Sequence, residues 1–214
     1  MFKFWWFARK SVNREKHWQK VYQSKQADQV SWYAPHLDRS LAMIRAASDP
    51  QSEIIDVGGG ASTLVEDLLN LGYTKVSVLD VSSASLEIAK RRLATRAEAI
   101  RWIVADITQT CLPSERYDVW HDRAVFHFLT DAADRSAYAK LARSSVKRGG
   151  HLIISAFSLD GPTRCSGLDI VRHSAETLQR ELGQEFVLEQ EVHESHLTPT
   201  GADQKFVWCS FRKS

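Results

Sequence analysis

From residue 53 to residue 157 the apolar positions fall in short β-rich runs separated by stretches of helical period. The runs 53–57, 75–79, 100–104, 116–121 and 150–157 are too short for helices and rich in Val, Ile, Leu and aromatic residues, which predicts strands. Between them, 63–71, 83–95 and 131–146 repeat apolar residues at helical spacing. That alternation predicts an α/β fold: a parallel sheet covered by helices on both faces. Upstream, Trp18, Val21 and Tyr22 predict a helix over 13–24. Leu41 and Ile44 predict a second over 37–47, ahead of the linker Ser48-Asp49-Pro50-Gln51-Ser52. Gly149-Gly150 is expected to cap the helix 131–146. After a helix over 174–182, two long runs, 186–194 and 203–212, flank the turn Pro199-Thr200-Gly201-Ala202-Asp203. The chain is therefore expected to close on an antiparallel hairpin instead of another βαβ unit.

The first strand ends in Asp56-Val57 and breaks into Gly58-Gly59-Gly60 before a helical pattern resumes at Thr63. A bare turn between strand and helix lets a ligand approach the helix N-terminus, where unpaired N–H groups and the helix dipole sit. Asp80 closes the next apolar run about twenty residues on, the place from which an acid accepts hydrogen bonds from both ribose hydroxyls of a nucleoside. A dinucleotide fingerprint would need a third glycine where Thr63 stands. Asp56, two residues before Gly58, is a poor neighbour for a pyrophosphate and suits a cation such as the amino group of S-adenosylmethionine. A short-chain oxidoreductase would also need a Tyr-x-x-x-Lys pair, but the fourth residue after Tyr22 is Gln26.

Asp56, Gly58 and Gly60, with Ser62 in place of a third glycine, resemble motif I of the class I S-adenosylmethionine-dependent methyltransferases. Ser62 is a favoured N-cap residue and substitutes for that glycine if it caps the helix. The resemblance implies a Rossmann-like, doubly wound seven-stranded sheet whose last strand is inserted antiparallel, with S-adenosyl-L-methionine as cofactor. It divides the chain into a helical cap over the cofactor, 1–50, and a methyltransferase domain, 51–214. Gln19-Lys20-Val21-Tyr22 and Val30-Ser31-Trp32-Tyr33 resemble the opening segment of the eukaryotic elongation-factor lysine methyltransferases, and the similarity runs over about 17–130. The stretch from Ala156 to Leu168 is instead similar to uncharacterised bacterial methyltransferases. It is expected to wall the acceptor site, with Arg164, Cys165, Arg172 and His173 pointing inward.

Ligands of open α/β sheets lie beyond the carboxyl ends of the strands. The expected cofactor-binding set is therefore Asp56, Gly58, Gly59, Gly60 and Ser62 from strand one and Asp80 and Val81 from strand two. Asp106 and Ile107 follow strand three, where the resemblance implies an adenine-binding carboxylate and backbone N–H. Asp122 and Arg123 come from strand four, which in the family runs beside the methionine moiety. Three residues are candidates for catalysis. Asp122 would find its partner in an amine substrate or the sulfonium end, since a buried carboxylate needs one. His127 stands where many relatives have the first histidine of a Leu-His-His-Leu run. Tyr33 joins them, with His121 and His173 behind. Methyl transfer needs alignment above all, and a base only if the acceptor is protonated.

A length of 214 residues fits one domain. The net charge of +2 gives no basic face and argues against a nucleic-acid partner. A small-molecule acceptor is favoured, a thiol among the options. A protein lysine is the second reading, and a non-catalytic S-adenosylmethionine-binding protein is the alternative of another class. Cys111, Cys165 and Cys209 have neither zinc-ligand nor disulfide spacing, which fits a reducing cytoplasm and no metal. No apolar run approaches the roughly 20 residues needed to span a bilayer, and the start has no signal-peptide core. Residues 1–10 mix five aromatics with cations. Packing on the domain's own surface is preferred there over contact with a membrane.

Overall fold

The computed structural model describes residues 13–24, 26 and 29–214. The aromatic start of the chain lies outside them. The main sheet has seven strands in the order β3-β2-β1-β4-β5-β9-β8. They are β1 (Ile54–Val57), β2 (Val76–Asp80), β3 (Arg101–Val104), β4 (Tyr117–Arg123), β5 (Val146–Phe157), β8 (Phe186–Leu197) and β9 (Asp203–Lys213). Strands β1 to β5 are mutually parallel, and β9 runs antiparallel to both β5 and β8. A two-residue pair, β6 (Arg164–Cys165) and β7 (Leu168–Asp169), forms a small separate hairpin after β5. This is the parallel sheet with an antiparallel closing hairpin that the pattern implied, and the doubly wound seven-stranded order that the resemblance implied.

Both faces of the centre are buried, so β1 and β2 are apolar almost without alternation. Successive residues nonetheless serve opposite layers. Ile55, Val57, Trp120 and Ile154 pack with α5 (Ala132–Ser145) and α6 (Ala175–Leu182). Ile54, Val119 and Ile153 pack with α2 (Asp38–Ala47), α3 (Leu64–Asn70) and α4 (Ser83–Leu93). Met43 and Ile44 belong to that second layer. Of the two described helices within the expected cap, α1 (Arg14–Ser24) lies over the strand ends, whereas α2 is part of the sandwich.

The two glycines assigned to a helix cap are in a strand. Helix α5 ends at Ser145, Val146 is already extended, and β5 begins there. A Cβ on Gly150 would sit 2.9 Å from the Asp118 carbonyl oxygen and 3.0 Å from that of Lys147. The glycine lets β5 approach β4 where the register shifts between Tyr117 and Val119.

Candidate active site

Because β1 to β4 are parallel, their carboxyl ends meet along one edge, and the site is built there. Gly58 and Gly60 have φ of +70° and +48°, in the left-handed region. A Cβ on Gly58 would lie 2.0 Å from Val125 Cγ2, and one on Gly59 2.5 Å from an Asp56 carboxylate oxygen. A Cβ on Gly60 would reach 3.0 Å from both Asp80 Oδ2 and the Tyr22 hydroxyl, narrowing the gap between the acid and α1. The turn is bare because its own neighbours leave no room for side chains. Thr63 occupies the N-cap position of α3 but makes no side-chain cap bond. Ser62 Oγ does accept from Leu64 N at 3.0 Å.

Two acids face the cavity from β2 and β3. Asp80 accepts from Ser82 N at 2.8 Å, and burial pushes its pKa up to about 6. Burial also opposes ionisation of Asp106. The backbone and hydroxyl bonds from Thr108 and the Arg14 guanidinium outweigh it and hold that pKa below the usual carboxylate range. Arg14 Nη1 donates to Asp106 at 3.1 Å and to Thr108 at 3.1 Å, and the other end of the guanidinium pairs with Asp134. Gln19 accepts from Ser82 Oγ at 3.0 Å and Ala84 N at 3.2 Å, so α1 is tied down at both ends of the β2–β3 side.

The larger cavity, about 870 Å³ out to its open mouth, runs along the strand ends. Asp80, Val81, Asp106 and Ile107 line its β2–β3 end; Phe157, Cys165, Gln204 and Phe206 line the β5–β9 end. Trp18 and Tyr22 cover it from α1, beside Trp32. Trp18 meets Trp32 edge-on at 5.6 Å and Phe128 at 5.0 Å. A second cavity of about 540 Å³ adjoins it, sharing Tyr22, Trp32, Gly58 and Arg123. Asp56, Gly59, Ser62, Tyr33 and His121 line this smaller one. Arg123 is half-buried, donates to the Trp32 carbonyl at 2.8 Å, and feels the carboxylates of Glu194 and Asp56.

The three catalytic candidates are not brought together. His127 lines the larger cavity and Tyr33 the smaller. Asp122 lines neither, so its expected contact with substrate or sulfonium is corrected. On β4 it points to the α5 layer, where Tyr138 donates to Oδ2 at 2.7 Å and Val125 N to Oδ1 at 2.8 Å. Trp120 Nε1 donates to the same tyrosine hydroxyl at 2.8 Å. Burial raises the Asp122 pKa to about 6. His121, on the opposite face, bonds Asp56 Oδ1 at 2.7 Å and Ser40 Oγ at 3.0 Å. Of the four loop residues expected to face inward, Cys165 lines the larger cavity and the other three line neither of the two. Arg164 is turned to Asp169 and the Gly167 carbonyl, and Arg172 to the Gly161 carbonyl. His173 packs against Phe126 at 5.2 Å. Sequence reasoning missed Arg14, although Arg14, Trp18 and Tyr22 share the i, i+4, i+8 face of α1 that covers the site.

The residues fit a sulfonium nucleoside. Asp80, buried at the end of β2, could accept from a ribose, Asp106 and Ile107 beyond β3 could meet an adenine edge, and a second cavity with one carboxylate and one guanidinium suits an amino-acid tail.

Comparison with known proteins bears on that fit. A family model described as a methyltransferase domain matches residues 54–150. The eEF1A lysine and N-terminal methyltransferase of Bos taurus is 26% identical over 121 residues, which are 56% of this chain and 17% of that protein. The chain thus spans about a sixth of the length of this relative. Among solved structures, one from work on the conversion of a disulfide bond into a thioacetal group during echinomycin biosynthesis superposes with a TM-score of 0.75. It is 20% identical and covers 94% of this chain and 92% of its own. The N-methyltransferase NodS of Bradyrhizobium japonicum, in complex with S-adenosyl-L-homocysteine, gives 0.70 at 18% identity, covering 94% and 99%. At these identities the structures speak for the fold.

Proposed function

We propose that this chain is a class I S-adenosylmethionine-dependent methyltransferase and that it methylates a small-molecule acceptor. The observation that carries the small-molecule reading is the far end of the larger cavity, walled by Phe157, Phe206 and Cys165 under the aromatic cover of Trp18 and Trp32. A protein-lysine site would need a carboxylate there. Asp122, the residue expected to supply it, is committed to Tyr138 and Val125.

S-adenosylmethionine supplies a methyl group already activated on a sulfonium, so the chain is asked for aim and exclusion of water. Asp80 would accept from the ribose hydroxyls, and Asp106 with Ile107 N–H would hold the adenine edge. Asp56 and Arg123 would take the ammonium and carboxylate of the amino-acid tail. Helix α1 excludes water from above through Trp18 and Tyr22, held by the bonds of Arg14 and Gln19.

The test is transfer of tritiated methyl from the cofactor into a cell lysate, followed by separation of small molecules from protein. Label in the small-molecule fraction is expected. Label confined to a protein band would favour the lysine reading, for which Trp32 offers a cation–π wall. S-adenosylhomocysteine binding by calorimetry with no labelled product at all would leave a non-catalytic binding protein.

A further inference from the structure

We propose that His127 orients the methyl acceptor, and that the acceptor is a flat, uncharged molecule presenting an O–H or ring N–H, such as a phenol or a hydroxylated heteroaromatic. This rests on the methyltransferase reading above and names the substrate class of the same site.

His127 is fully buried, and among the described residues neither Nδ1 nor Nε2 has a hydrogen-bond partner. An imidazole left so is costly, and buried polar groups are paired in the great majority of structures. This residue lines the larger cavity, and the partner we infer is a ligand that packs against it there. Its ring stacks on Phe157 at 4.5 Å and 22°, and Phe157 stacks on Phe206 at 4.5 Å and 28°. A flat guest completes such a wall better than a flexible chain does.

Charge selects further. Burial pulls the His127 pKa down to about 3, with neighbouring His173 adding to the effect, so the imidazole is neutral and offers one donor and one acceptor. The carboxylates lining this cavity, Asp80 and Asp106, lie across β1 at the β2–β3 end. Among the described residues lining that end of the cavity no carboxylate would balance an ammonium, whereas an O–H or N–H meets an imidazole nitrogen. In the transfer, the acceptor's lone pair forms the bond to the methyl carbon, and the carbon–sulfur bond breaks with its pair left on sulfur. The acceptor's proton leaves to bulk solvent at the open mouth of the cavity, since His127 is too weak a base to keep it.

The experiment uses the full chain loaded with S-adenosylhomocysteine, with 15N-labelled histidine, as wild type, His127→Phe and His127→Leu. Phenol, 3-hydroxypyridine and n-butylamine are titrated by NMR. The expected result is that the two ring donors bind the wild type and move one His127 ring nitrogen resonance, while butylamine does neither. Both variants should bind phenol roughly three- to tenfold more weakly, the weight of one neutral hydrogen bond. Free of ligand, at least one variant should melt no lower than the wild type, because an unpartnered polar group has gone. Equal phenol affinity in the variants, no binding of either ring donor, or tighter binding of butylamine would overturn the proposal. Failure of all three proteins to bind S-adenosylhomocysteine would instead sink the methyltransferase reading itself.

Discussion

Asp80→Asn separates the cost of the buried acid from its use. The substitution keeps the shape and an oxygen for Ser82 N, and removes the charge. Burial raises the Asp80 pKa from 3.8 to about 6. At roughly 1.4 kcal/mol per pKa unit, holding the ionised form in the folded, ligand-free protein costs about 3 kcal/mol. The stability this group contributes is complete below the unfolded value of 3.8 and is lost as pH rises through about 6. At pH values well above both, the asparagine protein should therefore be more stable than the wild type, by about 1–2 kcal/mol after imperfect hydrogen bonding is allowed for. Its affinity for S-adenosylhomocysteine should fall by about 1–3 kcal/mol, or roughly 5- to 150-fold, with the loss of charge-assisted bonds to the ribose. Wild-type affinity should weaken on acidification through about pH 6, approaching tenfold per unit, because binding requires the ionised acid. The variant's affinity should lack that step. Titration calorimetry at several pH values, with denaturant melts of the free proteins, measures all of this. A variant that binds like the wild type, or a wild type whose affinity is indifferent to pH, refutes the assignment of Asp80 to the ribose.

Gly58→Val places a Cβ 2.0 Å from Val125 Cγ2 at a φ of +70°. It should cost about 2 kcal/mol or more of stability in urea melts as well as cofactor binding, and unchanged stability would contradict the packing described for the turn. Asp122→Ala strands the Tyr138 hydroxyl and Val125 N–H. It should destabilise the protein by about 1–3 kcal/mol while leaving S-adenosylhomocysteine affinity intact, and the reverse outcome would return Asp122 to the active site. Arg14→Ala cuts the ties from α1 to Asp106, Thr108 and Asp134. Hydrogen exchange in α1 and the dissociation rate of S-adenosylhomocysteine should both rise, and no change in either would mean that α1 does not hold the ligand in.

What was legible in the sequence follows from which forces are local. The strands and helices of 53–157 were readable because period and turn chemistry are written in neighbouring residues, and the order of strand ends then placed Asp80 and Asp106 along one edge. Gly149-Gly150 was misread because its cause is remote: the close approach of β5 to Asp118 in β4 is invisible to a window that sees only the end of α5. Asp122 was misplaced for a related reason. A strand buried on both faces shows no polar alternation to tell in from out, so His121 and Asp122 looked alike as candidates. Only the partners decide. Ser40 on α2 and Asp56 on β1 claim the histidine, and Tyr138 on α5 claims the acid. His127 is the converse case. Its residue type suggested chemistry, but what sets it apart from an ordinary core histidine is that none of the described residues partners either ring nitrogen, a property no spacing of residues along the chain encodes.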